Sequence, residues 1–204
     1  MSNFTWQIIG RTPTDFSSDS GPPDNWRELL AARLRYRPRR IGLLAELALF
    51  GVLDCLDSAK ETALPKDVVL RVCSLRGSIS TISQVLQQNR EGMCMPFSFL
   101  QSQTGQILQA LTAALNWKGD AGIVLARNPM ELAKLACHQA EGAGMLLGWV
   151  EEANPTRSAW LWLAPCILQS AGFVSAASFD EMVSPKTHYW QLRQAVIEIA
   201  HSCN

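Results

Sequence analysis

The residue types that could do chemistry in this sequence are its cysteines and histidines, and their spacing does not assemble a catalytic centre. Cys137 and His138 are adjacent, so on a helix they project about 100° apart and cannot work together as nucleophile and base. Cys73, which precedes Ser74 in a predicted strand, and Cys94 remain the candidates for a reactive thiol.

Metal and nucleotide sites also lack their usual spacing. His188 and His201 stand at the two ends of a predicted helix, without a carboxylate at helical spacing that would make them ligands. The six cysteines form no C-x-x-C pair, and neither a GxxxxGK[ST] nor a GxGxxG pattern occurs. We therefore predict no metal, no nucleotide and no other cofactor.

Two turns that follow predicted strands are the places where function gathers in a sheet of this class. The first is the segment Cys73 to Gly77, and the second is Arg127-Asn128-Pro129. A nucleophile elbow at the second turn would need a cysteine or serine beside the amides of a helix N-terminus. Asn128 is not a nucleophile, and its position before Pro129 predicts a helix cap.

Composition limits the classes of partner. The 18 basic residues cancel the 18 acidic ones, so no global positive field exists to bind nucleic acid or anionic membrane. Hydrophobic residues make up 48% of the chain, which indicates a globular protein whose apolar excess includes an interface. Nucleic acid is therefore excluded, and a protein partner is expected.

The sequence also predicts a protein without a membrane span. The longest apolar run, Ile41 to Leu56, is interrupted by Glu46 and Asp54 and is shorter than a bilayer requires, so a buried helix is predicted there. The N-terminal residues lack the basic and apolar regions of a secretory signal, which favours a cytoplasmic location. Cys55 and Cys137 lie in apolar helical stretches and should be buried.

The periodicity predicts one α/β domain, residues 1–204, with the element order β-α-α-β-α-α-β-α-β-β-α. This order favours a mixed sheet in an α/β/α arrangement, ending in a hairpin whose Trp160 and Trp162 share one face. Residues 12–24 are expected to be a mobile loop, and residues 172–186 carry no clear pattern.

Three element predictions bear on function. A single helix is expected from Pro96 to Asn116, and the following AGIVLA, residues 121–126, is apolar enough for a strand in the middle of a sheet. An edge strand that is covered when two sheets join would have the same composition. The last helix is expected from His188 to His201.

With these segments in place, the sequence resembles the amino-terminal half of the thiolase-like β-ketoacyl synthases. The resemblance covers residues 39–165 and rests on RRIGLLAELALFGVLD, on VVLRVCSLRGS, where the family has a serine, arginine and glycine turn, and on PFSFLQSQTGQILQALTAALNWKGDAGIVLA. It continues in ELAKLACHQAEGAGMLLGWVEE and SAWLWLAP. It implies half of a thiolase-like fold, and it is greatest to the short synthase-like proteins associated with lipid and aryl-polyene biosynthesis.

The departures from the family pattern imply that the chain is not a working synthase. The family's elbow cysteine is replaced here by Arg127-Asn128-Pro129, and the family's histidines come from a second half that these 204 residues do not include. The short relatives' His-Asn pair is also replaced, by Gln103-Thr104. No catalytic residue is therefore predicted.

The resemblance implies a non-catalytic synthase-like subunit, or pseudoenzyme, that pairs with a second copy or with a true ketosynthase in fatty-acid or polyketide-type biosynthesis. Thiolase-like folds pair through the segment that corresponds to residues 97–126, which makes interface candidates of Phe99, Ile107, Leu111 and Ile123. Two alternatives stay open. One is a small acyl-transfer or thioester hydrolase enzyme using Cys73 or Cys94, and the other is a module that binds an acyl carrier protein or a small molecule through the arginines between Arg33 and Arg40.

Overall fold

The structure is a computed structural model that describes residues 5–12, 21–93, 95–127, 131–133, 144–153, 155–166 and 189–191. Six strands and five helices have defined bounds within these residues. The strands are β1 Thr5–Arg11, β2 Val69–Cys73, β3 Ala121–Ile123, β4 Met145–Glu151, β5 Arg157–Cys166 and β6 Tyr189–Gln191. The helices are α1 Trp26–Leu34, α2 Leu43–Ala59, α3 Ile79–Arg90, α4 Pro96–Ser102 and α5 Gly105–Ala114.

The strands form one mixed sheet in the order β3-β2-β4-β5-β1-β6. Strand β2 runs parallel to both of its neighbours, β3 and β4, and the remaining pairs are antiparallel. Strands β4 and β5 form the predicted hairpin, in which Gly148 lies opposite Trp160. The predicted mixed sheet and its terminal hairpin are therefore confirmed.

Side chains of the sheet enter two cores, one on each face, because successive residues of a strand point to opposite sides. On β2, Leu70 and Val72 join the larger core beneath α1, α2 and α5. Val69 and Cys73 join the second core, which also includes Leu132 of the helical residues 131–133. Helical residues on both faces confirm the predicted three-layer arrangement.

The packing of Trp160 sets the distance between α2 and the sheet. Its fully buried indole lies between Gly51 of α2 and Gly148 of β4, and a Cβ atom added at Gly148 would lie 2.6 Å from the ring. The indole Nε1 donates to the hydroxyl of Ser158, which donates in turn to the carbonyl of Leu47 in α2. The predicted shared face of Trp160 and Trp162 is confirmed, and both side chains are core residues.

The predicted helix from Pro96 to Asn116 is two helices, α4 and α5. The backbone of Gln103 is extended between them, with φ −76° and ψ 123°. The break falls where Thr104 and Gly105, both weak helix formers, follow one another. The chain can change direction at this point, so that α5 packs under α2 while α4 packs against α3.

The apolar segment AGIVLA lies at the edge of the described sheet and not in its middle. Its strand, β3, has three residues, all half-buried, and it pairs with β2 alone among the described strands. Apolar composition therefore failed to distinguish a central strand from an edge strand. The alternative that the same composition allowed, an edge strand, is the one observed.

Three further segments of the sequence analysis lie partly or wholly outside the described residues. Where a helix from His188 to His201 was predicted, the structure has strand β6 at Tyr189–Gln191, and residues 192–201 lie outside the described residues. Residues 172–186 and most of the predicted loop 12–24 also lie outside them. Thr12 itself is buried directly after β1, and its hydrogen bonds with the backbone of Trp160 hold it against β5. No helix of the described residues is long and apolar enough to cross a membrane.

We expect Gly148→Ala to lower the free energy of unfolding by about 1–3 kcal/mol, because the new methyl group would overlap the Trp160 ring. Gly105→Ala is the matched control, since nothing lies near a Cβ at this helical position, and it should raise the free energy of unfolding by about 0.4–1 kcal/mol. Urea unfolding of both variants measures the effects. Equal stability of the two variants would contradict this account of the packing.

Candidate functional site

The carboxyl ends of the parallel strands β2, β3 and β4 meet at one edge of the sheet, where both predicted functional turns begin. The thiol of Cys73 at the end of β2 contacts the carbonyl oxygen of Ala126, just after β3, at 3.7 Å. Glu151 at the end of β4 contacts the turn that follows Cys73. The structure therefore brings the first predicted turn and the start of the second together at this carboxyl edge.

Cys73 lies at this edge but is not poised as a nucleophile. Its side chain is fully buried in the second core. Burial raises the pKa of the thiol, an interaction with the Ala126 backbone lowers it by less, and the negative charge of Glu151 raises it further. The thiol is therefore held in its protonated form, which is the unreactive one.

Glu151 closes the turn after β2. Its two carboxylate oxygens accept hydrogen bonds from the backbone N–H of Leu75 (2.6 Å), from the backbone N–H of Arg76 (3.4 Å) and from the hydroxyl of Ser74 (3.3 Å). The Ser74 hydroxyl also accepts the N–H of Gly77 at 3.0 Å. Ser74 is therefore buried and occupied in holding the turn, since its hydroxyl both donates to Glu151 and accepts the Gly77 N–H group.

A second buried carboxylate, Glu152, extends this arrangement to the start of α3. It accepts the backbone N–H and the hydroxyl of Ser80, while its other carboxylate oxygen is buried without a hydrogen-bond partner. Sequence analysis did not single out either glutamate. The pair Glu-Glu directly after the apolar strand sequence MLLGWV was the available signal, because such a strand ends at the functional edge of a parallel sheet.

The second predicted turn is described only at its first residue. Arg127 is exposed, and its backbone N–H donates to the carboxylate of Glu131 at 2.8 Å. Asn128 and Pro129 lie outside the described residues, as do Cys94, Cys137 and His138. This hydrogen bond, from a backbone N–H group to a side-chain carboxylate, is of the kind found at the first turn of a helix.

The four predicted interface residues lie in three different environments. Ile107 and Leu111 are fully buried in the core beneath α2, so their side chains are not available at the surface, contrary to expectation. The physical reason is that α5, separated from α4 by the break at Gln103, turns its apolar side inward. Phe99 of α4 is 58% exposed, and Ile123 is half-buried on the edge strand.

Large apolar side chains are exposed on α3, on α4 and on the turn between them, and we call this set the α3–α4 surface. Thr81 is the buried residue of α3, and the helix packs mainly against α4. The members of the surface, each 40–58% exposed, are Ile79, Ile82, Leu86, Met93, Met95, Phe97, Phe99 and Leu100.

A buried arginine ties the edge strand to the sheet. The guanidinium of Arg71 on β2 forms a two-pronged pair with the carboxylate of Asp120, at 2.7 and 3.1 Å, just before β3. The hydrogen bonds from Arg71 lower the pKa of the Asp120 carboxyl, although burial of that carboxyl partly opposes them. Gly122 leaves room for the arginine side chain across the strand. The position of β3 therefore depends on this ion pair.

Comparison with known proteins identifies the fold. No protein-family model matches the sequence, and no curated protein matches it. Among solved structures, the ishigamide ketosynthase/chain length factor superimposes with a TM-score of 0.56 at 13% identity, over 79% of this chain and 61% of that one. The chain has a thiolase-like fold.

Two further ketosynthase structures are similar. One is the AntDE:AntF complex, a type II polyketide synthase acyl-carrier protein with its ketosynthase bound to the hexaketide (TM-score 0.56, 11% identity, 80% of this chain and 63% of that one). The other is the ketosynthase ApeO with its chain length factor ApeC from Xenorhabdus doucetiae (TM-score 0.49, 18% identity, 84% and 79%). The chain spans about three fifths of the ishigamide and AntDE:AntF chains that it matches.

Within this thiolase-like fold, the carboxyl edge holds no assembled reaction centre among the described residues. The groups present there are a buried protonated thiol, a serine that holds a turn and two carboxylates that accept backbone N–H groups. In the part of the chain that the structure describes, no group of three or more histidine, cysteine or acidic side chains could hold a metal ion. The edge stabilises its turns rather than presenting reactive groups.

We expect Cys55 and Cys73 to react with a thiol reagent at least about tenfold more slowly in the native protein than in denaturant, because burial raises the pKa of both thiols. Alkylation at pH 8, followed by digestion and mass spectrometry, gives the rate at each position. Fast native labelling of Cys73 would restore it as a candidate nucleophile.

The same burial predicts a loss of stability in alkali. The unfolded chain releases these thiol protons near the ordinary pKa of 9.0, before the folded chain does. The contribution of the two protonated thiols to the free energy of unfolding is thus complete below pH 9.0 and is lost as the pH rises further. Cys55→Ala should flatten the decline of the unfolding free energy between about pH 9 and 10.5, as measured in urea; an unchanged slope would contradict the assignment.

Proposed function

We propose that this chain is a non-catalytic ketosynthase-like subunit that acts by pairing with a second thiolase-like subunit, in fatty-acid or polyketide-type biosynthesis. The observation that carries the proposal is the α3–α4 surface together with the edge of β3 that no described strand covers. Both are apolar, and both lie within or beside the segment, residues 97–126, through which the thiolase-like resemblance implies pairing.

The edge of β3 supports the proposal through its backbone. Among the described strands, β3 bonds to β2 alone, so no described strand pairs with the N–H and C=O groups of its other side. The strand carries no charged residue, although charges are a common means by which soluble proteins protect such edges. Addition of a strand from another chain would satisfy these groups.

The area of the α3–α4 surface is large enough for a stable interface. Eight large side chains, each about half exposed, present apolar area on the order of 800 Å², which is what one partner contributes to a standard interface. Leu75 and Leu125, which follow β2 and β3, are also exposed, by 57% and 81%. Exposed patches of this size on soluble proteins mark interaction sites.

The absence of a catalytic role is supported by the residues at the two turns. The Cys73 thiol is buried and protonated, Ser74 is buried and holds its turn, and the resemblance places Asn128 where a synthase would have its cysteine. The similar structures are named as complexes of a ketosynthase with a chain length factor or with an acyl carrier protein. A partner of ketosynthase type is therefore the one that we assign to this chain.

A second candidate function is binding of an acidic protein such as an acyl carrier protein. Arg33 is paired with Asp54 and Asp57, but the next four arginines are exposed and form no ion pair within the described residues. They are Arg35, Arg37, Arg39 and Arg40. Such a segment would attract acidic side chains or a phosphate group.

We expect Ile123→Lys to break the pair, because it places a charge on the edge strand that the partner covers. Size-exclusion chromatography with light scattering, on the protein alone and after co-expression with a ketosynthase subunit of the same organism, should show a pair for the natural protein and a monomer for the variant. Leu29→Lys, on an exposed position of α1, is the matched control and should leave the pair intact. A natural protein that is monomeric in both settings would refute the proposal.

We also expect no acyl-enzyme to form, because the Cys73 thiol is buried and protonated and Ser74 is buried in the turn that it holds. The protein is incubated with acyl thioesters and its intact mass is recorded, with an active ketosynthase as the positive control. Stoichiometric acylation that persists in Cys73→Ala and disappears in Cys94→Ala would instead support the acyl-transfer alternative at Cys94.

A further inference from the structure

Helices α3 and α4 stand outside both hydrophobic cores of the described residues, and we call these two helices together the arm. Along the chain, the core residues pass from Cys73 at the end of β2 to Ile107 of α5. The buried residues of the arm are small and polar, Thr81 of α3 and Ser98 of α4. Apolar burial, the largest favourable term in folding, therefore contributes little to holding the arm in place.

The two connections between the arm and the rest of the fold lie side by side. A Cβ atom added at Gly77, before α3, would lie 3.3 Å from the methyl carbon of Thr104, after α4. Gly77 has a left-handed backbone, with φ +58°, and the backbone of Gln103 is extended. Hinges are built from a few such residues at the ends of elements, so the arm can leave as a whole without disturbing either core.

Polar contacts attach the arm at the start of each of its helices. Glu152, which follows β4 and is 6% exposed, accepts the backbone N–H of Ser80 at 3.0 Å and also accepts the Ser80 hydroxyl. On α4, the guanidinium carbon of Arg40 lies 4.6 Å from the centre of the Phe97 ring. Hydrogen bonds to a charged acceptor are stronger than neutral ones, so the contact of Glu152 with Ser80 is the stronger attachment.

Two buried acceptors oppose this attachment. The second carboxylate oxygen of Glu152 and the side-chain oxygen of Gln88 are both buried without a hydrogen bond. A buried acceptor without a donor is costly, and both atoms would be hydrated if the arm left its position. The attached arm is therefore favoured over the detached arm by a small difference between opposing terms.

We propose that the arm detaches from the rest of the fold as one cooperative unit, with the contact of Glu152 and Ser80 as the latch that keeps it attached. Helices of 12 and 7 residues are marginal in water, so both should melt when they detach. Because α3 packs mainly against α4, loss of one helix removes the support of the other. The arm is thus a conformational switch built into the fold.

A consequence for pairing rests on the proposed function. The α3–α4 surface belongs to the arm, so a partner that covers it together with β3 requires the attached arm. The apparent affinity of the pair then falls in proportion to the fraction of chains whose arm is attached. The latch would therefore regulate pairing from a residue that lies beneath α3 and outside the surface itself.

Amide hydrogen exchange of the natural single chain, followed by NMR, tests the switch. Amides of α3 and α4 should share one protection factor to within about threefold, at least about a hundredfold below that of α2, because regions with few buried apolar contacts open first. Protection of the arm equal to that of α2 would overturn the proposal. So would protection factors that differ widely between α3 and α4.

Ser80→Ala tests the latch, and Ser83→Ala is the matched control on an exposed position of the same helix. Loss of the Ser80 hydroxyl should lower the protection of both α3 and α4 about five- to tenfold relative to the control, with α2 unchanged. The change in α4 decides the matter, since Ser80 lies on α3. A change confined to α3 would reduce the contact to a local cap and overturn the cooperative unit.

Gln88→Leu tests the opposing term and should have the opposite sign. Removal of the buried unpaired amide oxygen should raise the protection of both arm helices at least roughly fivefold. Gln84→Leu makes the same change at an exposed position one turn earlier and should leave their protection unchanged. Equal effects of the two substitutions would contradict this balance of terms.

The exchange experiments are separable from the test of pairing. They need only the single chain, so the arm can detach as proposed even if light scattering shows no pair, which would refute the pairing function alone. If a pair does form, Ser80→Ala should weaken it when attached chains are no longer the large majority. A pair of unchanged affinity in a variant whose arm is mostly detached would overturn the regulatory step.

Discussion

The contact of Trp160 with the glycines on either side of it determines how the larger core is built. The indole fills the space between α2 and the sheet, and Gly51 and Gly148 leave no side chain in its way. A similar close approach occurs at Gly10 of β1, where a Cβ atom would overlap the carbonyl oxygen of Cys55. Helix α2 therefore lies against three adjacent strands, β4, β5 and β1, and the rest of the sheet extends from them.

The outer strands on the β3 side are held by polar interactions instead of by this close packing. Arg71 and Asp120 connect β2 to the start of β3, and the indole of Trp117 donates to the carbonyl of Pro65 at 2.7 Å before β2 begins. At the opposite ends of the strands, Glu151 and Glu152 accept the backbone N–H groups of the following turn. At the carboxyl edge of the sheet, where functional groups gather in α/β folds, the two glutamates therefore act as hydrogen-bond acceptors. By accepting from Ser80, Glu152 also helps to orient α3.

Sequence patterns predicted the fold well wherever one physical signal dominated. The β4–β5 hairpin followed from two apolar runs around Asn154-Pro155, and α2 followed from an apolar run too short for a membrane. Patterns were weaker where burial depends on contacts distant in sequence. Leu111 and Phe99 belong to one helical pattern of apolar residues in the sequence. Leu111 is nevertheless in the core and Phe99 is exposed, because the break at Gln103 places them in two different helices. The roles of Glu151 and Glu152 could not be read from sequence, since their partners lie about 75 residues away.

The exposed helix α3 has a consequence for the amounts of protein that a cell must make. A helix that buries little of its own apolar side is stabilised mainly by whatever packs on it, so the single chain would unfold locally at α3 at low free-energy cost. Local opening exposes the backbone to proteases, and exposed aliphatic side chains promote aggregation. Under the proposed pairing, copies made in excess of the partner would then be removed, and the ratio of the two subunits would be set by degradation as well as by synthesis.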